Sequence, residues 1–568
     1  MTSLKSLAKF FPILQWLPSY QKHSFAGDLS ASLIVAILLI PQSIAYALLA
    51  GLPPQAGIYA SILPLVAYAF FASSMVQSVG PMAINAIMTA TALAPLAATG
   101  SSQYIALAAS LALLSGVFLT LLGLFKLGFI TQLLSHPVIN GFSSGAAILI
   151  VLGQIAPLLG VSIQGEHVGQ LLLQLMLAIP AMQPFGLVCL GLLWLAGGPL
   201  AKRLQHFSHG PLLSKISPLL LMLVITATVY FLNIQTKLIG AFSAGLPRLF
   251  WPQLNQTNLA QLWLPAITIG LAGFLQSITI AQSLALKTKR SIDSNQELIG
   301  LGAANIAAAA SGGFPVSGGF SRTAVNAASG ANTPLAGVMT AVWIALAAHW
   351  LSDYLALLPL PLLAATIILV ALRLIDFDFF LKSWRYDSSD GAAFICTAIA
   401  VLALGAMLGI VAGVGLSLLL FLYRSSQPHI AVVGRIAGTE HYRNIRRFTT
   451  QTSDHIVAVR IDESLYFGNI AKVQTELIDI LNKASNTQHL LLIMSAVNSI
   501  DFSAMQAISL LQENLRARHI KIHLAEIKGP VMDHLRRSEI LENLDGEVFL
   551  SAHLAMQTLS GINEDFSI

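Results

Sequence analysis

One short stretch decides how this chain folds, and it reads Gly313-Phe314-Pro315-Val316-Ser317-Gly318-Gly319-Phe320-Ser321-Arg322. It lies among apolar segments, but the span that it opens, residues 318–330, is too short to cross a bilayer, which takes about 20 apolar residues. Short, glycine-interrupted segments mark half-helices at the binding sites of membrane transporters. A cation at this depth, here Arg322, is costly and therefore functional by default. The stretch predicts a substrate site inside a membrane.

The composition around this stretch excludes an ordinary soluble protein. Of 568 residues, 55% are hydrophobic and only 10% are charged, whereas soluble domains carry roughly a quarter charged residues. We find no basic-aromatic patch for nucleic acid, and no phosphate loop, nucleophilic triad or metal-ligand cluster. The chain is therefore predicted to be neither an enzyme nor a nucleic-acid-binding protein, and to need no cofactor or metal.

Hydropathy predicts a polytopic α-helical membrane protein with about fourteen spans. With both termini placed in the cytoplasm, only Lys237 and Arg248 fall in outside loops, as the positive-inside rule requires. We therefore predict a multi-pass protein of the cell (inner) membrane with both termini cytoplasmic. The predicted spans are 28–50, 55–73, 80–98, 103–125, 127–158, 183–200, 216–233, 264–286, 296–312, 318–330, 334–352, 356–373, 390–406 and 407–424.

The two halves of this region resemble each other in outline. The third span opens with Gly80-Pro81-Met82-Ala83, and the tenth opens with Ser317-Gly318-Gly319-Phe320. Seven spans separate the two openings, and an odd number of spans per half inverts the second half relative to the first. The pattern predicts a 7+7 inverted repeat with the substrate site between the repeats.

The character of the chain changes after Arg424. Apolar runs at 455–459 and 490–494 alternate with polar helical stretches, which indicates a small α/β domain. The predicted organisation is a cytoplasmic N-terminal segment at 1–27, a transmembrane transport domain at 28–424 and a cytoplasmic α/β domain at 425–568.

The chemistry of the predicted site favours an anion. Arg322 lies at the predicted start of a half-helix, where unpaired N–H groups and the helix dipole add partial positive charge. Ser321 offers a hydroxyl, and the facing span offers free N–H groups near Met82 and Ala83. The alternative is that Arg322 reaches an interface or pairs with a buried carboxylate.

Several blocks, kept in order along the chain, resemble the SulP sulfate-permease family. The resemblance implies a seven-plus-seven inverted repeat with a core and a gate domain, an elevator-like motion and a dimer. In the tail, 464–469 and 500–504 are similar to the STAS domain that follows such transporters. The membrane blocks are Pro41-Gln42-Ser43-Ile44-Ala45-Tyr46-Ala47, Gly80-Pro81, Ser135-His136-Pro137-Val138-Ile139, Asn295-Gln296-Glu297-Leu298 and the stretch 313–322.

The same resemblance implies where the anion binds. The pocket lies between the third and tenth spans and is closed by the first. For Gln42 and Tyr46, packing between helices is an alternative of equal weight to contact with the anion. Asn85 and Asn326 are further candidates for lining the pocket, and a helix–helix hydrogen bond is the alternative for both. The implied substrate-binding residues are Gln42, Tyr46, Ala83, Phe320, Ser321 and Arg322.

One departure from the family pattern bears on coupling. Many members carry an acid in a Phe-Leu-Glu-Ser-like context of the eighth span, whereas this chain reads Phe274-Leu275-Gln276-Ser277. Gln276 cannot carry a proton, so exchange or facilitated transport is favoured over proton symport. A Na⁺ site made of carbonyls and hydroxyls stays open.

Two further acids and one serine carry separate predictions. Asp293 and Glu297, near the basic residues of 287–290, are interpreted as a cytoplasmic-loop charge cluster and not as a transport site.

The resemblance to anti-sigma-factor antagonists implies that Ser503 presents a regulatory hydroxyl at a helix N-terminus. A plain N-cap is the alternative for Ser503.

The sequence therefore predicts secondary active transport of a small inorganic or organic anion. Sulfate stands first, with bicarbonate, chloride and dicarboxylates as alternatives. A membrane sensor or scaffold that signals through the STAS domain and a channel-like anion conductor are the rival hypotheses. The expected partners are the anion, the lipid bilayer, a second copy of the chain and a cytoplasmic partner of the STAS domain.

Overall fold

Backbone N–H and C=O groups find no water in hydrocarbon, so apolar spans fold as helices that satisfy those groups internally. The computed structural model divides into two compact units, Met1–Ser417 and Leu418–Ile568. The described residues are 10–129, 135–161, 173–174, 177–178, 182–204, 210–241, 245–249, 251–252, 256–288, 291–484 and 486–560. The first nine residues of the predicted N-terminal segment lie outside these ranges.

Each of the fourteen predicted spans contains a helix. Within the described ranges, eight helical segments are long and apolar enough to cross a membrane, and four shorter apolar helices accompany them. The helices up to Ser425 are α1 Ile13–Trp16, α2 Lys22–Leu49, α3 Pro54–Tyr59, α4 Leu63–Phe71, α5 Ala83–Leu93, α6 Ser102–Leu124, α7 His136–Leu158, α8 Phe185–Gly197, α9 Pro199–Leu204, α10 Gly210–Phe231, α11 Gln256–Thr288, α12 Ser294–Ala310, α13 Phe320–Ala328, α14 Leu335–Trp350, α15 Ser352–Leu355, α16 Leu360–Leu372, α17 Phe377–Tyr386 and α18 Ser388–Ser425.

The helix ends differ from the predicted spans at several places, and two of the differences have a clear local cause. The helix α7 begins at His136 and not at 127, because Pro137 in its first turn suits a helix start, where no N–H is needed. The last two spans lie in one helical segment, α18, which is kinked at Gly405. Gly405 has a φ of 83°, a conformation that costs glycine little and other residues much.

By their most extensive contacts, the helices form two bundles. The core bundle contains α2–α6 and α11–α14, and the gate bundle contains α7, α8, α10 and α16, with α18 packed against α7 through Gly141 and Gly145. Glycines allow close approach within each: a Cβ built on Gly116 would lie 2.7 Å from Gly302 O, and one built on Gly141 would lie 2.4 Å from Phe394 O. Small residues at such crossings are the usual basis of helix packing in membranes.

A buried carboxylate ties the start of α2 to the connection between α13 and α14. Asp28 has no exposed surface. Its oxygens accept hydrogen bonds from Asn332 N at 2.6 Å, Thr333 N at 3.1 Å and Thr333 Oγ1 at 2.7 Å. The charge is thus held by the loop that follows the short helix α13.

A second buried carboxylate, Glu297, corrects one sequence prediction. Its side chain on α12 is 1% exposed and accepts hydrogen bonds from Ser73 N at 2.9 Å, Ser73 Oγ at 2.7 Å and Ser74 N at 2.7 Å, and one from Tyr68. The predicted charge cluster is wrong for Glu297. Nearness in sequence to the basic residues suggested that cluster, but the first turn of α12 directs this side chain inward against the end of α4.

The second unit contains a six-stranded sheet in the order β4-β3-β5-β6-β7-β8. The last four strands in this order pair in parallel, and β3 pairs antiparallel with both of its neighbours. Alternate strand residues enter two cores, one shared with α19–α21 and the other with α22. The elements are β3 Ile430–Arg435, β4 Tyr442–Asn444, β5 Ile456–Ile461, α19 Ile470–Lys483, β6 His489–Ile493, α20 Phe502–Ala517, β7 Lys521–Ala525, α21 Gly529–Arg536, β8 Val548–Phe549 and α22 Ala552–Ser560.

Candidate anion-binding site

Two short strands bring the two repeats together inside the core bundle. The strand β1, Val79–Gly80, pairs antiparallel with β2, Ser317–Gly318. Each strand leads into a short helix, β1 into α5 and β2 into α13. The residues that precede these helices, Met82 and Gly319, are extended and give no side-chain cap. Two helix N-termini with N–H groups free of side-chain caps therefore meet at the strand pair, as the inverted pattern predicts.

Arg322 lies in the first turn of α13 and is 2% exposed. Its Nη1 donates to Pro81 O at 2.9 Å and its Nη2 to Ser317 O at 3.4 Å, so the guanidinium spans the two repeats. Its Nε has no partner within the described part of the chain. The interpretation that Arg322 reaches an interface is therefore wrong. Its partners are neutral carbonyls, so its positive charge is not cancelled.

A glycine makes room for this guanidinium. A Cβ built on Gly319 would lie 2.7 Å from Arg322 Nε and 2.8 Å from its Nη2. Such contacts are closer than real Cβ atoms show, so a larger residue would displace the side chain. The glycine-rich sequence before Arg322 thus serves the position of the cation.

A cavity of about 240 Å³ opens beside Arg322, between the core and gate bundles. The core side contributes Gln42 and Ser321 next to Arg322, with Leu38, Pro41 and Val325. The gate side contributes Leu193, Gly197, Pro218, Met222, Thr366, Leu369, Val370 and Arg373. No carboxylate is among these lining residues, so the cavity presents positive charge and apolar surface.

Three of the six predicted site residues line the cavity, and the other three do not. Gln42, Ser321 and Arg322 line the same cavity. Tyr46, one turn beyond Gln42, is buried and within electrostatic range of Arg322. The remaining two are placed differently, and neither lines the cavity: Ala83 is buried as the first residue of α5, and Phe320 is exposed at the start of α13.

Sequence reasoning missed Arg373, which it assigned to the cytoplasmic loops. The residue follows directly after α16, is exposed, and lines the cavity from the gate side. Its position at the end of a span was visible in the sequence. Which face of the bundle it takes depends on how α16 packs against α8, and hydropathy does not show this.

Gln276 lies away from the anion cavity. It lines a small gap of about 10 Å³ between α11 and apolar gate residues such as Val138, Phe142 and Ile410, and its Oε1 has no partner among the described residues. Its neighbour Ser277 reaches the site instead, because its Oγ accepts a hydrogen bond from Gly318 N at 2.7 Å. The helix α11 therefore supports β2 through Ser277.

In the second unit, Ser503 is not the N-cap of α20. Asp501 takes that position and accepts a hydrogen bond from Ala504 N at 2.8 Å through Oδ1 and one from Phe467 N at 2.9 Å through Oδ2. The interpretation of Ser503 as a plain N-cap is therefore wrong. Its side chain is exposed in the first turn, and its regulatory role stays a prediction.

Comparison with family models gives two matches. The model described as "Sulfate permease family" matches residues 25–399, and the STAS domain model matches residues 447–555. Among curated relatives, the chloroplastic sulfate transporter 4.1 of Arabidopsis thaliana is 34% identical over 96% of this chain and 82% of its own length. A probable sulfate transporter of Mycobacterium tuberculosis is 31% identical over 95% of this chain and 96% of its own length.

Solved structures share the fold. Murine Solute Carrier 26 family member A9, an anion transporter in the inward-facing state, matches with a TM-score of 0.88 at 23% identity, over 98% of this chain and 95% of its own. The transmembrane domain of the cyanobacterial bicarbonate transporter BicA matches with a TM-score of 0.60 at 23% identity, over 70% of this chain and 98% of its own. The predicted fold class is confirmed, and the molecule is a multi-pass membrane protein with a STAS domain. The chain belongs to the sulfate permease family, a family of transporters and not of enzymes.

Proposed function

We propose that the protein is a secondary active transporter of small anions and that its substrate is sulfate. The observation that carries this proposal is the cavity at Arg322, where a buried cation and the Ser321 hydroxyl, both in the uncapped first turn of α13, meet without a lining carboxylate. Such a site favours negative charge through the cation, the helix dipole and the free N–H groups together. The named relatives are sulfate transporters, which agrees with this choice.

The cavity size supports a small ion. At roughly 30 Å³ per water molecule, its volume of about 240 Å³ holds about eight waters, or a tetrahedral oxyanion with part of its hydration shell. Bicarbonate, chloride and small dicarboxylates fit the same space and charge, so they are the competitors to test. The anion contacts that we propose are Gln42, Ser321 and Arg322, with Tyr46, Ala83 and Phe320 around them.

The position of the cavity supports the proposal that transport uses an elevator-type motion. Arg322, Ser321 and both short helices belong to the core bundle, whereas the opposite wall belongs to the gate bundle. A displacement of the core bundle along the gate bundle would carry the anion together with Arg322. The helices that hold the site would move as one body, because the pair β1–β2 and Ser277 connect them.

The distribution of acids favours anion exchange over proton symport. Gln276 replaces the coupling acid, and the two buried acids of the membrane unit that the structure describes, Asp28 and Glu297, are engaged by backbone N–H groups and hydroxyls. Neither acid lines the cavity at Arg322, and the hydrogen bonds of both carboxylates are used to hold neighbouring loops in place. The proposed mode is therefore exchange or facilitated transport.

The remaining parts of the proposal concern the assembly. We place both termini in the cytoplasm of the cell (inner) membrane, and we expect the protein to act as a homodimer. The STAS domain would serve assembly or regulation, with a cytoplasmic partner. Cross-linking in native membranes and tag accessibility at each terminus would test these placements.

The decisive experiment is uptake of radiolabelled sulfate by proteoliposomes of the purified protein. It is run without gradients, with a pH gradient, with a Na⁺ gradient, and with bicarbonate, chloride or succinate as competitor. We expect saturable uptake that is indifferent to both cation gradients and stimulated by internal anion. Gradient-driven uptake would contradict exchange, unsaturable flux would indicate a channel, and no uptake of any anion would favour the sensor or scaffold.

A further inference from the structure

Arg373 differs from Arg322, the other charged residue that lines the cavity, because no described residue holds its guanidinium. No hydrogen bond or ion pair joins its guanidinium to a described residue. By contrast, Arg460 and Arg516 in the second unit contact Asp462 and Asp545, each at 2.5 Å. A cation without a protein partner, in a cavity that also holds Arg322, remains available to an anion.

The packing of the gate bundle directs Arg373 over the cavity. The residue ends α16, and a Cβ built on Gly197 at the end of α8 would lie 3.5 Å from Arg373 Nη2. The guanidinium therefore lies over a residue that has no side chain of its own. Leu369 and Val370, one turn earlier on α16, line the same wall.

The gate side of the cavity needs a cation if it is to attract an anion, because of the helix end that it presents. The core bundle presents the N-terminal turn of α13 to the cavity, which attracts an anion, but the gate bundle presents the C-terminal end of α16, whose carbonyls repel one. Arg373 lies at that C-terminal end and sets a full positive charge against the partial negative charge of those carbonyls. The two walls then both attract negative charge.

We propose that Arg373 is a second anion-binding residue, which holds the substrate from the gate bundle and favours divalent over monovalent anions. The inference rests on the proposed anion transport and adds the residue that sets charge selectivity. An anion in the cavity lies between Arg322 on one bundle and Arg373 on the other. Coulomb energy scales with the product of the charges, so one cation stabilises a dianion about twice as strongly as a monoanion.

The test is equilibrium binding of sulfate and chloride to the purified full-length protein, wild type against Arg373→Gln. If the loss for sulfate is about tenfold in Kd, the loss for chloride is about threefold, because halving a free energy takes the square root of its factor. Arg373→Lys keeps the charge and should retain the preference for sulfate. It serves as the second variant if the glutamine variant fails to fold.

The matched control is Arg385→Gln, which removes an exposed arginine from α17 that does not line the cavity. It should leave both affinities within twofold of wild type. If wild type binds both anions and Arg373→Gln behaves like Arg385→Gln, this inference is wrong while the proposed function stands. If wild type binds neither anion, both are overturned. Equal losses for sulfate and chloride would contradict the role in charge selectivity.

Discussion

The two units treat charge in opposite ways. In the membrane unit, the buried ionisable side chains of the described residues are held by neutral groups: Arg322 by carbonyls, and the carboxyl groups of Asp28 and Glu297 by N–H groups and hydroxyls. In the second unit, arginines meet carboxylates near the surface, as Arg516 meets Asp545. The charge of a salt-bridged arginine is neutralised by its carboxylate, whereas an arginine held by carbonyls keeps a net positive charge that can attract an anion. This difference is our reason for placing the proposed anion site at Arg322 in the membrane unit.

The largest expected effect comes from removing the cation held by carbonyls. Arg322→Gln should lower sulfate affinity about a hundredfold or more, because the loss of a desolvated, charge-assisted contact removes several kcal/mol. Isothermal titration of the purified protein measures this, with Arg516→Gln as the control that removes a paired arginine. Equal affinities in the two variants would refute the comparison.

The next effect concerns the buried acid of α12. Glu297→Gln can keep a carbonyl oxygen on the Ser73 and Ser74 donors, but its NH₂ group then faces the Tyr68 hydroxyl, which donates to the carboxylate in the wild type. The loss of this buried hydrogen bond should destabilise the membrane unit by about 2 kcal/mol. Thermal unfolding in detergent is the readout. Asp293→Asn, at the N-cap of the same helix, should cost no more than about 1 kcal/mol. A Glu297→Gln protein as stable as Asp293→Asn would show that this carboxylate is not structural.

In the second unit, a buried histidine is held neutral. Burial, with the charges of His489 and Lys521, lowers the pKa of His523 to about 4, and its Nδ1 accepts a hydrogen bond from Glu547 N at 3.0 Å. The unfolded chain binds a proton near pH 6.5, so the folded unit loses stability as the pH falls from 6.5 to 4, by at most about 3 kcal/mol.

Hydrogen exchange of the strands β6 and β7 in the full-length protein, followed across this pH range, measures that loss. His523→Gln should flatten the pH dependence, whereas His519→Gln, at an exposed position, should not. An unchanged pH profile in His523→Gln would assign the loss to other groups.

The smallest effect separates the two candidates for the α20 cap. Asp501→Ala should destabilise the second unit by about 1 kcal/mol, because Ala504 N and Phe467 N lose their acceptor. Ser503→Ala should change its stability by less than about 0.5 kcal/mol. Chemical denaturation of the tail, with hydrogen exchange as the readout, measures the stability of both variants. A larger loss of stability in Ser503→Ala than in Asp501→Ala would restore Ser503 as the cap.

The parts of this molecule that sequence could predict are those that depend on local pattern. Hydropathy and length predict the spans, and the glycine-rich openings predict the half-helices α5 and α13. A lone arginine in an apolar region points to Arg322 without any knowledge of its partners. These features need no information about which distant residues meet.

The rest depends on tertiary packing. Whether Glu297 faces solvent or Tyr68 is decided by the rotation of α12 against α4, and whether Arg373 faces the cytoplasm or the cavity is decided by the packing of α16 on α8. Ser503 and Asp501 are both residue types that suit an N-cap, and the exact position at which α20 begins decides between them. Sequence pattern has no signal for such rotations.

The most direct test of the central claim is equilibrium exchange of labelled sulfate across proteoliposomes with equal sulfate on both sides and no cation gradient. The account predicts saturable exchange by the wild-type protein and none above background by Arg322→Gln at equal protein content. Exchange by Arg322→Gln at the wild-type rate, or a wild-type protein that is silent until a H⁺ or Na⁺ gradient is imposed, would contradict it.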